Sequence, residues 1–169
     1  MRAVVMAGGE GTRLRPLTAN QPKPLLPVVN RPIMEHVLRL LRRHGMDETI
    51  VTVQYLASLV RGYFGDGSDL GMHLSYATEQ VPLGTAGSVK NAESALRDGA
   101  FLVIPGDALT DIDLTAVVAA HREKGALVPG CLKRVTDPQE FGVVVTAEGG
   151  RGERVVGEPA GGPVRADTR

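Results

Sequence analysis

The sequence contains no tryptophan, a single cysteine and no apolar run that approaches the length of a membrane span. One thiol, Cys131, excludes an internal disulfide, and without neighbouring Cys or His ligands it argues against a zinc site; a small buried role in a reduced compartment is expected for it. His36, His44, His73 and His121 show no metal-ligand spacing. Charge of one sign is also lacking: nineteen Lys and Arg face nineteen Asp and Glu, so no overall field would hold the chain on nucleic acid or a membrane surface, and anion binding must be local. The apolar stretch from Ala3 to Ala7 behind Arg2 runs into glycines and Glu10 too soon for a signal peptide, and a cytoplasmic protein is expected. What is present is 43% hydrophobic and 22% charged, which argues against global disorder. At this length folding buries roughly 70% of the unfolded surface, enough for one sizeable core.

Ala3-Val4-Val5-Met6 is a continuous apolar run of the kind buried on both faces of a parallel sheet. Asn30 is placed to cap a helix with Pro32 in its first turn and with Ile33, Val37 and Leu41 on one face, ended by Gly45. A strand is expected around Thr49 to Val53, then a short helix carrying Leu56, Leu59, Val60, Tyr63 and Phe64 as one apolar stripe. A strand over His73 to Thr78, a helix over Ala86 to Leu96 and a buried strand over Phe101 to Ile104 follow, the last stopped by Pro105-Gly106-Asp107. Asp113 caps a final helix that Gly125 closes. Such alternation predicts an α/β layered fold with a mainly parallel sheet. One domain is expected over residues 1–147, with a Gly- and Pro-rich, poorly ordered tail over 148–169.

The stretch Ala7-Gly8-Gly9-Glu10-Gly11-Thr12-Arg13-Leu14 follows the first strand, where open α/β sheets bind ligands at the carboxyl ends of strands. It lacks the third glycine of the dinucleotide fingerprint and the Gly-Lys-Ser/Thr ending of a P-loop. Gly8, Gly9 and Gly11 allow close backbone approach and positive φ, so successive amides can form an anion-binding nest. Arg13 adds a fork of donors suited to phosphate, and Lys23 is held between Pro22 and Pro24 with little local freedom. A bare glycine-rich loop is more often a surface turn; Thr12, Arg13, Pro16 and Lys23 together favour a phosphate site.

At these residues the chain resembles the sugar-1-phosphate nucleotidyltransferases, whose opening reads Gly-Gly-x-Gly-Thr-Arg-Leu-x-Pro-Leu-Thr followed by Lys-Pro; here the pattern is Gly8 to Thr18, then Lys23-Pro24. The resemblance implies a three-layer, Rossmann-like, mainly parallel sheet, truncated at its C-terminus. It implies that Ala7, Gly8, Gly9, Gly11 and Thr12 hold a nucleoside triphosphate, with Arg13 and Lys23 neutralising its phosphates and those of the sugar 1-phosphate. Glu79 to Gly87 is similar to the family's base-recognition segment, with Pro82, Gly84 and Thr85 as contacts, and its Pro-Leu-Gly-Thr-Ala form is like that of guanylyl-transferring members. Thr85 read without the family is an N-cap. Asp107 corresponds to a family aspartate that holds Mg²⁺, an ion that seldom uses an all-protein cage. Gly142, in Glu140-Phe141-Gly142-Val143, corresponds to a sugar contact.

The implied reaction is transfer of a nucleotidyl group to a sugar 1-phosphate with release of pyrophosphate, GTP and mannose 1-phosphate leading. A glucose-1-phosphate thymidylyl- or uridylyltransferase is the alternative, as is a non-catalytic nucleotide-sugar-binding regulatory relative. Neither nucleic acid nor membrane is an expected partner, and a homo-oligomer is left open. Two departures bear on the regulatory alternative. Val155-Val156-Gly157-Glu158-Pro159 lacks the lysine of the family's Phe-x-Glu-Lys-Pro segment, and Arg169 comes before the family's second metal aspartate. Pro129-Gly130 also interrupts an expected strand.

Overall fold

The computed structural model describes residues 1–97, 99–135, 142–147 and 150–156. The chain divides into two compact units, Met1–Val118 and Ala119–Arg169.

The first unit is built on a four-stranded sheet of β1 (Ala3–Met6), β4 (Glu48–Val53), β5 (His73–Thr78) and β6 (Leu102–Pro105). Its order is β5-β4-β1-β6, and every pairing is parallel. The predicted strands therefore form where the apolar runs placed them, with ends moved by about one residue. Between β1 and β4 lie a small antiparallel hairpin, β2 (Pro27–Val28) with β3 (Arg31–Pro32), and helix α1 (Ile33–Arg43). Helices α2 (Ala57–Phe64) and α3 (Gly84–Asn91) make the next two crossovers, and α4 (Leu114–Lys124) follows β6.

Side-chain alternation along the strands explains the layering. Ala3, Val5, Val51 and Val53 face a core shared with Val37, Leu38 and Leu41 of α1, Val60 and Phe64 of α2, and Leu114 of α4. Val4 and Ile50 point the other way, onto Ala92 and Leu96 at the end of the α3 crossover. A continuous apolar run suits β1 because both of its faces are covered. The stripe expected on α2 is only half used: Val60 and Phe64 are buried, whereas Leu59 and Tyr63 are exposed.

Asn30 is not the cap of α1. It sits at φ 61 beside Val29 at φ 50, in the tight turn of the β2–β3 hairpin, and Pro32 stands just before the helix. Two consecutive left-handed residues are what a two-residue hairpin turn requires, and asparagine tolerates that region well. The helix ends as expected at Gly45, whose amide bonds the Arg42 carbonyl while the Met46 amide bonds that of Leu41, a paired closure that satisfies terminal carbonyls. Asp113 does cap α4: its Oδ1 accepts the Ala116 amide at 3.0 Å.

In the second unit, β7 (Val143–Thr146) pairs antiparallel with β8 (Gly152–Val156). Of the segment 148–169, expected to be a poorly ordered tail, Gly152–Val156 forms a strand; residues 148–149 and 157–169 lie outside the described residues. Gly150, at φ 82, donates its amide to the Ala147 carbonyl at 3.0 Å, and Gly152 opens β8, so turn chemistry rather than disorder explains these two glycines. Residues 126–135 carry no regular structure, in line with Pro129-Gly130. Cys131 is exposed, not buried as expected.

Candidate functional site

The chain runs from β1 to β4 to β5 toward one edge, then returns to place β6 on the other side of β1. This reversal opens a crevice beyond the carboxyl ends of β1 and β6, the usual ligand position in open α/β sheets. A pocket of about 390 Å³ lies there, lined by Met6, Ala7, Gly9, Gly11, Thr12, Arg13, Leu14, Lys23, Pro24 and Asp107.

Each wall has a local cause. The Ala7 amide extends the ladder to the Thr52 carbonyl at 2.9 Å, after which the glycine loop leaves the sheet. Gly11 takes φ 63, and Thr12–Leu14 closes a single 3₁₀ turn that aims Arg13 and Leu14 at the pocket. A Cβ on Gly11 would meet Thr18 Cγ2 at 3.0 Å and Lys23 Cβ at 3.2 Å, so glycine is needed for both conformation and space. Lys23 begins a second 3₁₀ turn, Lys23–Leu25, whose Pro24 and Leu25 are buried and anchor it.

Asp107 reaches the pocket from the end of β6, an edge strand. Pro105 withholds an amide there without breaking the sheet, because the following Gly106 amide bonds the Met6 carbonyl at 2.8 Å. Gly106 is buried, and a Cβ on it would lie 3.1 Å from that same carbonyl. This close approach brings Asp107 beside the glycine loop. Its Oδ2 forms an ion pair with Lys23 Nζ, both side chains being about one-third exposed. At the outer rim Arg15 and Glu10 pair at 3.5 Å.

The structure thus brings Ala7, Gly9, Gly11, Thr12, Arg13, Lys23 and Asp107 around one cavity. Gly8 stands behind it, its carbonyl accepting the Tyr55 amide at 3.4 Å. Pro82, Gly84 and Thr85 are exposed on the connection from β5 into α3 and do not line this pocket. Thr85 is inside the first turn of α3 and not its cap; Leu83 precedes the helix and no side chain caps it. Gly142 is exposed just ahead of β7, in the second unit.

Three side chains that motif reasoning did not single out tie these loops together. Glu79, buried at the end of β5, accepts the Leu83 amide through Oε2 at 3.3 Å, and its Oε1 has no partner. That oxygen is 3.3 Å from where a Gly8 Cβ would be, so one carboxylate bonds the connection into α3 and lies close behind the glycine loop. Thr18 and Tyr55 brace the glycine loop from behind. Thr18 belongs to the family's opening pattern, but nothing in the sequence marks Tyr55 as its neighbour.

Among the described residues no group of three or more His, Cys, Asp or Glu could by itself hold a metal ion. The donor set is compatible with Mg²⁺ in its usual manner: Asp107 offers one hard carboxylate in the lining of this cavity, and bound phosphates and water would have to supply the other oxygens. No helix among the described residues is long and apolar enough to cross a membrane.

A family model described as nucleotidyl transferase matches residues 2–164. A UTP–glucose-1-phosphate uridylyltransferase of Synechocystis is 42% identical over 166 residues, covering 89% of this chain and 42% of its own length. A mannose-1-phosphate guanylyltransferase of Mycobacterium tuberculosis is 42% identical over 146 residues, covering 86% of this chain and 41% of its own. The chain therefore spans less than half the length of these relatives. A crystal structure from Bacillus anthracis, described as a glucose-1-phosphate thymidylyltransferase in complex with sucrose, superposes with a TM-score of 0.79 at 23% identity. The match covers 94% of this chain and 65% of that one. At that identity the likeness speaks for the fold.

Proposed function

This chain belongs to the nucleotidyl transferase family, and we propose that it transfers a nucleotidyl group from a nucleoside triphosphate to a sugar 1-phosphate, releasing pyrophosphate. One observation carries the reading: Arg13, Lys23 and Asp107 meet across a cavity floored by Gly9 and Gly11, at the carboxyl ends of the two strands that flank the topological reversal.

The chemistry needs little beyond that arrangement. A sugar 1-phosphate carries about −1.5 to −2 charge near neutral pH, so its oxygen is already a nucleophile and no general base is required. It attacks the α-phosphorus in line, forming one P–O bond as the bond to pyrophosphate breaks. The barrier lies in bringing two polyanions together, and fixed cations with close backbone approach lower it. Arg13 and Lys23 supply the cations. Lys23, paired with Asp107, is placed to turn to the phosphates of an entering nucleotide, and Asp107 is the carboxylate that would then hold Mg²⁺. Bound there with the phosphates, the ion would add Lewis-acid neutralisation of the developing charge.

For substrates we favour GTP and mannose 1-phosphate, on the Pro82-Leu83-Gly84-Thr85-Ala86 form of the base loop and the guanylyltransferase relative. Glucose 1-phosphate with UTP is the second reading, since the uridylyltransferase relative is equally identical. Gly142 is assigned to the sugar, and a cytoplasmic setting suits such substrates. The test is pyrophosphate release across a panel of nucleoside triphosphates and sugar 1-phosphates with Mg²⁺, beside nucleotide binding without the metal. Release highest with GTP and mannose 1-phosphate supports the reading; nucleotide binding without release from any pair favours the regulatory relative instead.

A further inference from the structure

We infer that Thr18 and Tyr55 are positioning residues that set the glycine loop in its working shape before any ligand arrives. What they position rests on the nucleotide reading above; that they position it rests on geometry alone.

Thr18 is 1% exposed, and its hydroxyl donates to the Gly11 carbonyl at 2.8 Å. Its methyl and Lys23 Cβ stand 3.0 and 3.2 Å from where a Gly11 Cβ would be, so both crowd the loop at Gly11. The Tyr55 hydroxyl donates to the Thr18 and Ala19 carbonyls, at 3.2 and 3.0 Å. The Tyr55 amide holds the Gly8 carbonyl. One residue on the β4–α2 connection thus fastens the loop at Gly8 and again at Thr18, and Thr18 passes the constraint to Gly11. Neither side chain lines the pocket. Any effect of theirs on a ligand must travel through the backbone of Gly8 and Gly11 and through Lys23.

This matters because a glycine-rich segment is the most mobile backbone a chain can offer, and ordering it only on binding would cost conformational entropy. Donors fixed in advance need no reorganisation at the moment of reaction. Displacement of about 1 Å at a reacting centre can cost on the order of a hundredfold in rate.

Thr18→Val removes the hydroxyl and keeps the branched shape; the Gly11 carbonyl retains the Leu14 amide at 2.9 Å, so no acceptor is left bare. Tyr55→Phe removes the second anchor at a half-buried position, and Thr18→Ser restores the hydroxyl without the methyl. Amide hydrogen exchange over residues 8–14, GTP titration, kcat and KM for pyrophosphate release, and thermal melting are measured on all four proteins. In Thr18→Val and Tyr55→Phe, exchange over the loop should rise about fivefold, the equivalent of one ordinary hydrogen bond. kcat should fall about tenfold or more with KM within about threefold, melting little changed, and Thr18→Ser should recover most of the loss. Parental exchange in both Thr18→Val and Tyr55→Phe overturns the inference. So does a Thr18→Ser protein as impaired as Thr18→Val, which would assign the effect to packing. A parent that neither binds nor turns over any nucleotide overturns the proposed function instead, and hydrogen exchange still decides the brace.

Discussion

Gly9 and Gly11 are two residues apart in one loop, and the structure gives them opposite duties that a pair of alanine substitutions separates. At Gly11, φ is 63, a region that costs a residue with a Cβ about 1–2 kcal/mol. The new methyl would also meet Thr18 Cγ2 at 3.0 Å and Lys23 Cβ at 3.2 Å. Thr18 is fully buried and cannot yield. Lys23 starts a turn between two prolines, both of them buried. Overpacking of this kind adds about 1 kcal/mol or more, so Gly11→Ala should destabilise the chain by about 2–4 kcal/mol. At Gly9 nothing lies within 4 Å of the place a methyl would take, and φ is outside the left-handed region. Gly9→Ala should leave stability unchanged or raise it by up to about 1 kcal/mol through the unfolded state. Yet Gly9 lines the pocket, so its methyl occupies the ligand's space. With a urea m-value of about 1–3 kcal/mol per M, Gly11→Ala should shift the unfolding midpoint down by about 1–2 M, and Gly9→Ala by less than about 0.5 M. GTP affinity should fall tenfold or more in Gly9→Ala despite its intact fold. A Gly11→Ala midpoint within about 0.5 M of the parent, or a Gly9→Ala protein that binds GTP normally, would refute the division.

Two further outcomes follow from charges elsewhere in the first unit. Burial of Glu35 on α1 opposes its ionisation, but hydrogen bonds and charge from Arg39 at 2.8 Å and Arg31 at 3.0 Å outweigh this and hold its carboxyl below the ordinary range. Because the folded pKa is lowered, the pairing contributes stability above the unfolded value of about 4.3 and loses it as pH falls through the folded pKa. Glu35→Gln should therefore flatten the acid limb of a stability–pH curve measured by urea unfolding. Asp107→Asn breaks the ion pair with Lys23. Both partners are about one-third exposed, so melting should correspond to less than about 1 kcal/mol of change, while Mg²⁺-dependent pyrophosphate release falls by about a hundredfold or more.

Much of the fold was legible locally. Apolar-rich runs located β1, β4 and β6, and β1 needs no alternation because both of its faces are covered, whereas β5 was legible only from the weak alternation of His73 to Thr78. The Gly45 stop and the Asp113 cap were legible because each is satisfied by neighbours within five residues. Asn30 misled because capping and left-handed turn geometry favour the same residue type, and the pairing of Pro27 with Pro32 that decides between them is a hairpin contact. At Gly150 and Gly152 the glycines suggested disorder, whereas pairing with β7 makes them a hairpin turn and strand entry.

Within the site, Gly8, Gly9, Gly11, Arg13 and Lys23 stood out by residue type in a short stretch after β1, while Ala7 and the triphosphate roles came with the family resemblance. Glu79 and Tyr55 did not. Glu79 approaches Gly8 across 71 positions and Tyr55 bonds Thr18 across 37, and neither pairing carries a pattern that a linear reading detects.

The sequence by itself determined where the glycine loop and its flanking cations stand and which runs enter the core, since both depend on side-chain chemistry and local periodicity. Tertiary structure alone decided that β6 returns to the far side of β1, that Gly106 closes onto the Met6 carbonyl, and that Asp107 consequently meets Lys23 across 84 positions of chain. Strand order is set by which faces the intervening helices can cover. That is a property of the assembled layers, and no single segment encodes it.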